Sequence, residues 1–589
     1  MADRKQEFRE DDSWFSEEQL AELTPADEAD DLHAPVPTRM VSNGEYMPHM
    51  QTEKQKKVEQ RIKELSDAAA PRLGMDRRRF LATSGGMAAC FLAMNEVFGR
   101  FFNVQPIELV EPAAAAQNGP PPNLFVLDDQ LHIVRSSLHN TGQTLRAIAQ
   151  GLPNPFNPNS LPDELGHVNF PWNPALVGMP NVAENFQLIQ VMKDIYLDSQ
   201  MTVGIMSNNT SSAVPGADGA NRAPKNPIES ESGEFLSAPQ TMGIRDWVNE
   251  IAGSKRMLGH GMIFPGVPGT DNLEYMQYEI DVLRPDSWKG YTSANSAKFD
   301  LDPESLLRRW RLDDEQVAYP MYELIMRNRD QLAEHPGFFN INIHKGLSTN
   351  ALPSQPELGN PADIPKAATD WPEFNFIMYH ACIRPGFWAL NALEDVKSGR
   401  LRDGVPDILW CTEFAVDCAR FPNVYAEIGT TFASTVITFP TVCAHILGQF
   451  LKYFGEDRIC FGSDSPWYGG PQWQIEALWR FQIPQDIARK YGYPQLTEGA
   501  KRKILGLNSA RLYKIGANGN INEHSRGQGN GIYKPFPADY AQMIPNSLKT
   551  LLEFPGYTAD NFSQARMAYQ NWEGRGPRHT RFGWLRKEA

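Results

Sequence analysis

Cysteine is scarce in this chain. Cys90, Cys382, Cys411, Cys418, Cys443 and Cys460 are six in 589 residues, all in apolar surroundings and none in Cys-x-x-Cys spacing. Such a set excludes a disulfide framework and argues against a thiolate zinc site, leaving mostly buried free thiols. Basic blocks are missing as well. A net charge of −15 with an isoelectric point near 5.4 repels nucleic-acid phosphates, so nucleic-acid binding is set aside. The one apolar stretch beside a basic cluster, Met87 to Met94, is too short to cross a bilayer and is interrupted at Asn95 and Glu96. A Gly-x-Gly-x-x-Gly turn after the first candidate strand is also absent, which argues against a doubly wound nucleotide-binding sheet.

What is present is globular: 41% hydrophobic, 11% aromatic and 22% charged residues, on a chain long enough for one large domain with extensions. Residues 1–75 read as a polar arm carrying one helix over 51–70. Residues 76–122 hold a twin-arginine-like segment, Asp76-Arg77-Arg78-Arg79-Phe80-Leu81-Ala82-Thr83-Ser84-Gly85-Gly86, and a linker, Asn118-Gly119-Pro120-Pro121-Pro122. The segment points to export by a twin-arginine route to the periplasm, with Ala113 to Ala116 as the place a peptidase could cut; its position 75 residues into the chain argues the other way.

From 123 to 515, short β-branched and aromatic runs alternate with helix-compatible segments. Strands are expected near 124–134, 201–208, 257–264, 287–293, 338–346, 374–381, 423–430 and 457–464, and helices over 303–311, 321–335 and 441–454. Eight such units predict an α/β fold of the (β/α)8 TIM-barrel type, with an N-terminal polar and helical arm and a long C-terminal extension, residues 516–589. Residues 208–240, rich in Ser, Asn, Pro and Gly, read as a long loop and a candidate lid.

Chemistry gathers at the strand ends. His132, His344 and His380 are three of only 12 histidines, and each closes an expected strand, as does Asp464. In a barrel these ends converge on one mouth. Alternation places Asp128, Gln130 and His132 on one face, and directs Asn340, Asn342 and His344 inward while Ile341 and Ile343 face the helices. Imidazole and carboxylate at a common mouth suit a divalent ion such as zinc. Lys289 and Arg384 are candidates for pairing with a substrate carboxylate, and Glu427 for orienting a ligand or holding a loop. His139 and His260 read as structural.

Five stretches together resemble a known family: Asp128-x-Gln130-x-His132, Ile343-His344-Lys345-Gly346-Leu347, Tyr379-His380-Ala381, Phe461-Gly462-Ser463-Asp464-Ser465-Pro466, and Lys503-Ile504-Leu505-Gly506-Leu507-Asn508-Ser509-Ala510-Arg511-Leu512-Tyr513. Over residues 124–515 the chain resembles the amidohydrolase superfamily, in the branch of aminocarboxymuconate semialdehyde decarboxylase. The resemblance implies one divalent metal, zinc first and manganese second, held by His132, His344 and Asp464, with His380 as general acid/base. It further implies a metal-dependent hydrolase acting on a small molecule that can carry a carboxylate. A homo-oligomer without a membrane span is expected. Gln130 departs from the pattern, since the family places a histidine or an acid there. That departure leaves open a non-oxidative decarboxylase on the same site, or a metal-free or non-catalytic barrel.

Overall fold

The computed structural model describes residues 34–38, 51–122, 124–133, 188–207, 214–215, 221–222, 226–232, 236–252, 255–266, 268–292, 310–332, 335, 337–347, 356–384 and 388–515. Eight strands form one sheet in chain order, every neighbouring pair parallel. They are β1 (Leu127–Leu131), β2 (Val203–Met206), β3 (Met257–Met262), β4 (Ser287–Tyr291), β5 (Asn340–His344), β6 (Asn375–Tyr379), β7 (Val424–Glu427) and β8 (Ile459–Cys460). Each lies inside one of the eight expected windows. The first and last strands meet through the residues at and beyond their ends. The Asp129 N–H donates to Phe461 O at 2.9 Å, Asp464 N–H to Gln130 O at 3.1 Å and His132 N–H to Ser465 O at 2.8 Å. The sheet thereby curls into a (β/α)8 barrel.

Strand alternation sorts the side chains. Ile341, Ile343, Phe376 and Met378 join the large core between sheet and helices. Leu127, Val203, Ile205, Leu258, Ile377, Tyr379 and Cys460 form a second cluster, closed by Phe125, Leu512, Tyr513 and Ile515. The chain after β8 therefore seals the barrel floor, and Asn340 Nδ2 donates to Leu512 O at 3.1 Å. β1 departs from simple alternation. Its register against β2 shifts between Asp128 and Leu131, and the bulge changes which residues face inward. Gln130 and His132 keep the expected face, but Asp128 turns aside: its Oδ1 accepts N–H groups from Gln130 (3.1 Å) and Ser463 (2.8 Å).

Of the expected helices, 441–454 is found as Pro440–Tyr453; 321–335 is helical only within Tyr319–Arg327 and passes into turns over 328–332; 310–311 are not helical, and 303–309 lies outside the described residues. The described parts of 208–240 include a short antiparallel pair, Val214–Pro215 with Asn221–Arg222, and a helix, Pro227–Ser232. The extension 516–589 and His139 lie outside the described residues.

The twin-arginine-like segment is folded into the barrel's shell. Glu53–Ala69 (α1) starts with a capping box between Thr52 and Gln55, and Gln55 Nε2 donates to Thr438 O at 3.1 Å in the loop before Pro440. Asp76 then caps Arg77–Leu81 (α2), and Thr83 caps Ser84–Phe98 (α3). Gly86 is required by close approach, because a Cβ there would lie 2.4 Å from Leu81 Cα. Met87 to Met94 is buried throughout. Phe91 stacks on Phe102 (centroids 4.6 Å), and Phe102 meets Phe481 edge-on (5.5 Å). Paired backbone bonds, Asn103 N–H to Arg480 O and Gln482 N–H to Phe101 O, both 2.7 Å, weld this segment to the helix after β8. Arg480, 2% exposed, pairs with the buried Glu108 at 2.7 Å and donates to Ala115 O in Pro112–Asn118 (α4).

Breaking that pair strands a buried charge, at a cost of about 3–5 kcal/mol. Arg480→Met is therefore expected to lower stability by that order in urea unfolding. A chain beginning at Gln117 is expected to lose cooperative melting altogether; an unchanged melting temperature would show that residues 51–116 are dispensable to the barrel.

Candidate active site

The barrel mouth brings His132, His344, His380 and Asp464 together, with Gln130 among them, and all five are buried. His132 Nε2 lies 3.0 Å from Asp464 Oδ1. His380 Nε2 lies 3.0 Å from His344 Nδ1. The amide Nε2 of Gln130 spans these two pairs, at 3.3 Å from His132 Nε2 and 3.5 Å from His380 Nε2. His344 thus reaches the group through His380. Aromatic rings flank the cluster: Tyr291 stacks on His344 (4.7 Å) and Trp467 leans on His132 (5.5 Å).

Proton positions follow from the partners. His380 Nδ1 lies 3.0 Å from Gly429 O, which can only accept, so Nδ1 carries the hydrogen and Nε2 a lone pair. Nε2 then accepts from His344 Nδ1–H. Burial pushes His380 down to about 4 and His344 well below the usual range, so both are neutral at pH 7. For Asp464 burial alone would raise the carboxyl, but the His132 hydrogen bond and nearby histidines outweigh it and hold it below its ordinary value. Thr430 Oγ1 donates to its Oδ2, and Tyr468 OH donates in turn to Thr430 Oγ1 at 3.2 Å. Burial drives Asp128 up to about 7, Asp129 to about 8 and Glu427 well above its usual range.

One conflict remains. His132 Nε2 needs a hydrogen to bond Asp464 Oδ1 and must lack one to accept from the Gln130 amide. With the Gln130 Nε2 turned toward His132, one of these contacts is left unmade. Gln130 Oε1 is meanwhile buried without a hydrogen-bond partner. Turning the amide over, a choice that side-chain placement alone does not fix, would aim Oε1 at His132 and His380. A cation at the meeting point would then satisfy oxygen and nitrogen lone pairs together. The spacings of 3.0–3.5 Å are close to those of donors on an ion with bonds of roughly 2.0–2.2 Å. Among the described residues, no three His, Cys, Asp or Glu side chains form a cage by themselves; the Gln130 amide completes the donor set, so the residues fit a divalent ion only if that amide takes part.

The remaining candidates separate. Lys289 is buried in the barrel, its Nζ 3.6 Å from the Tyr379 ring centre and 4.9 Å from that of Tyr291, and its charge helps lower His344 and His380. Arg384 is half-buried, and its charge is felt at Asp395 on the helix Trp388–Ser398. Both oxygens of Glu427 accept backbone N–H groups, from His380 at 3.1 Å and Gly429 at 2.5 Å, so it braces backbone. A Cβ at Gly462 would come 1.9 Å from Glu427 Oε1, which explains the glycine of Gly462-Ser463-Asp464. His260 is structural, bonded to Ser287 Oγ (2.6 Å) and Tyr379 OH (2.9 Å). Residue spacing did not disclose Thr430, nor the backbone of His380, Ala381 and Cys382. Those three lie at φ of +64°, +49° and +58°, a left-handed run costing about 1–2 kcal/mol per residue. Clusters of this kind gather at functional sites.

The eight parallel strands and the His–Asp cluster at their C-terminal ends define a (β/α)8 barrel with a candidate active site at its mouth. The amidohydrolase family model matches residues 398–515, which spans β7, β8, Asp464 and the closing Ile504-Leu505-Gly506 helix. The match bears out the resemblance to the amidohydrolase family over that stretch, and with it the reading of the chain as an enzyme of that type. No curated protein matches by sequence. Among solved structures, the chain is similar to an uncharacterised TIM-barrel protein from Bordetella bronchiseptica (14% identity, 66% of this chain and 98% of that one, TM-score 0.35). It is similar also to a 2,6-dihydroxybenzoate decarboxylase from Rhizobium (14%, 67% and 99%, 0.31) and to a protein from Pseudomonas putida assigned as a 2-pyrone-4,6-dicarboxylic acid hydrolase (12%, 66% and 97%, 0.33). Likeness at this level carries no weight for the reaction.

Neutral buried His380 has a measurable signature. Its value is lowered by folding, so its contribution is full above the unfolded value near 6.5 and is lost as pH falls toward 4. Relative to His380→Gln, the parent chain is expected to lose on the order of 3 kcal/mol between pH 7 and pH 4 in urea unfolding. Parallel curves for the two proteins would contradict the assignment.

Proposed function

We propose that the chain is a metal-dependent hydrolase of the amidohydrolase-related type, with His132, Asp464 and the Gln130 carbonyl as holders of one divalent ion and His380, backed by His344, as acid/base. The observation that carries this reading is the donor set at the mouth: His132 Nε2 lies 3.0 Å from Asp464 Oδ1 and 3.3 Å from the amide of Gln130, whose Oε1 is buried without a hydrogen-bond partner. Bound there, a divalent ion would supply Lewis acidity and lower the pKa of water toward ~7.

The chain's own residues do the rest. Gly429 O fixes the His380 tautomer, so Nε2, on giving up the His344 Nδ1–H, can take a proton from a nucleophile and return it to a leaving group. Thr430 and Tyr468 hold the Asp464 carboxylate in one orientation. Trp467 and the stacked Tyr291–His344 pair set apolar walls beside the reacting position. Lys289 places a positive charge near the two histidines, which favours a substrate with a carboxylate. The same charge supports a second reading, loss of CO₂ from a carboxylated substrate.

Protein prepared without chelator is expected to hold about one zinc or manganese per chain, with Asp464→Ala holding at most about a tenth as much. Gln130→His, which supplies a better nitrogen donor, is expected to tighten Zn²⁺ binding by about tenfold in calorimetric titration. Metal-free protein that shows no Zn²⁺ uptake would overturn the proposal. Once a turned-over substrate is found, oxygen from ¹⁸O-water in an acid product supports hydrolysis; bicarbonate released without such oxygen selects the decarboxylase.

A further inference from the structure

The backbone at His380 is held in an unfavourable shape by groups from two other strand ends. His380, Ala381 and Cys382 are all left-handed, and none is glycine. From the end of β7 and the segment after it, three contacts fall on His380 alone. Glu427 Oε2 accepts its backbone N–H at 3.1 Å, Thr431 Oγ1 donates to its carbonyl at 2.7 Å, and Gly429 O accepts from its ring Nδ1 at 3.0 Å. N–H, C=O and imidazole of one residue are therefore all fixed from one side.

The loop after β5 closes the other side. The Leu347 N–H donates to Ile383 O at 2.6 Å, and Gly346, at φ +87°, lies so close that a Cβ would reach 2.3 Å from Ile383 O and 2.8 Å from the Cys382 carbonyl carbon. The turn thus stands between two walls, with its central atoms unable to relax without parting from Glu427 or Thr431. Released from those bonds, a left-handed run of three non-glycine residues returns to ordinary φ, and the ring travels with its backbone.

We propose that Glu427 and Thr431 are positioning residues that clamp the left-handed turn and so aim His380 Nε2 at His344 and Gln130. This rests on the reading of His380 as the acid/base. Neither residue offers its bonded atoms to substrate: they act through the backbone of His380.

Crystal structures of Zn²⁺-soaked Glu427→Ala, Glu427→Gln and Thr431→Val test the clamp. In Glu427→Ala the φ values at 380–382 are expected to leave the left-handed region and the His380 Nε2 to His344 Nδ1 separation to open beyond ~4 Å, while His132, Gln130 and Asp464 stay in place. Glu427→Gln keeps one acceptor and is expected to retain the turn at least in part. A turn still at positive φ in Glu427→Ala, with the two nitrogens within hydrogen-bond distance, would overturn the proposal. Should Glu427→Ala fail to fold, Thr431→Val, which removes one hydroxyl, carries the same expectation and the same refutation. Zn²⁺ affinity in the variants is expected to stay within about threefold of the parent, as loss of aim at His380 leaves the ion's holders intact. In a kinetic arm with 4-nitrophenyl acetate as probe, a relaxed turn with unchanged kcat would place the fault in the role given to His380 and leave the clamp standing.

Discussion

The seam where β1 meets the chain beyond β8 is the constraint on which the mouth depends. Three backbone hydrogen bonds between 129–132 and 461–465 close the barrel, and the same three set His132 opposite Asp464. Asp128 reinforces the seam by accepting the Ser463 N–H, a job that removes it from the site. Closure and chemistry are therefore one piece of geometry: an element that opened the seam would separate the closest donor pair. The bulge in β1 matters for the same reason, since it lets the strand contribute to the floor and still turn Gln130 and His132 toward the mouth.

Burial then dictates charge. The mouth buries histidines, carboxyls and a lysine together, and each group resolves the cost differently. His344 and His380 become neutral, Asp128, Asp129 and Glu427 are driven toward the protonated form, and Asp464 alone among the carboxyls at the seam is held low by its partners. What results is a carboxylate and several lone pairs facing one another across the Gln130 amide. That arrangement is unfavourable for a packed core and favourable for receiving a cation. The strained turn at His380 makes the same point in backbone terms: a local cost is sustained because contacts from Glu427 and Thr431 over-determine it.

Much of this was legible in the sequence, for identifiable reasons. Short apolar and aromatic runs such as Phe374 to Tyr379 recur between longer helix-compatible segments, so all eight strands could be placed. The inward face of Asn340, Asn342 and His344 followed from side-chain alternation along the strand. The bulge did not, because one extra residue in Leu127–Leu131 leaves the pattern of apolar residues unchanged, and so Asp128 was expected beside Gln130. Glu427 was recognisable as a strand-end acid, but nothing in its neighbours tells a brace from a substrate contact; that depends on Gly429 and on His380, 47 positions away. The twin-arginine-like run shows the opposite problem. Asp76 and Thr83 serve as helix caps and Gly86 as a close-packing point, so these three residues hold a place in the fold that is separate from any reading of the arginines as an address.

An anomalous-difference map at the zinc edge, from crystals of the full chain soaked in Zn²⁺, tests the central claim most directly. The account predicts one peak among His132 Nε2, Asp464 Oδ1 and Gln130, with the glutamine amide turned to present its oxygen. A map without a peak there, with Gln130 Nε2 still spanning His132 and His380, would contradict it.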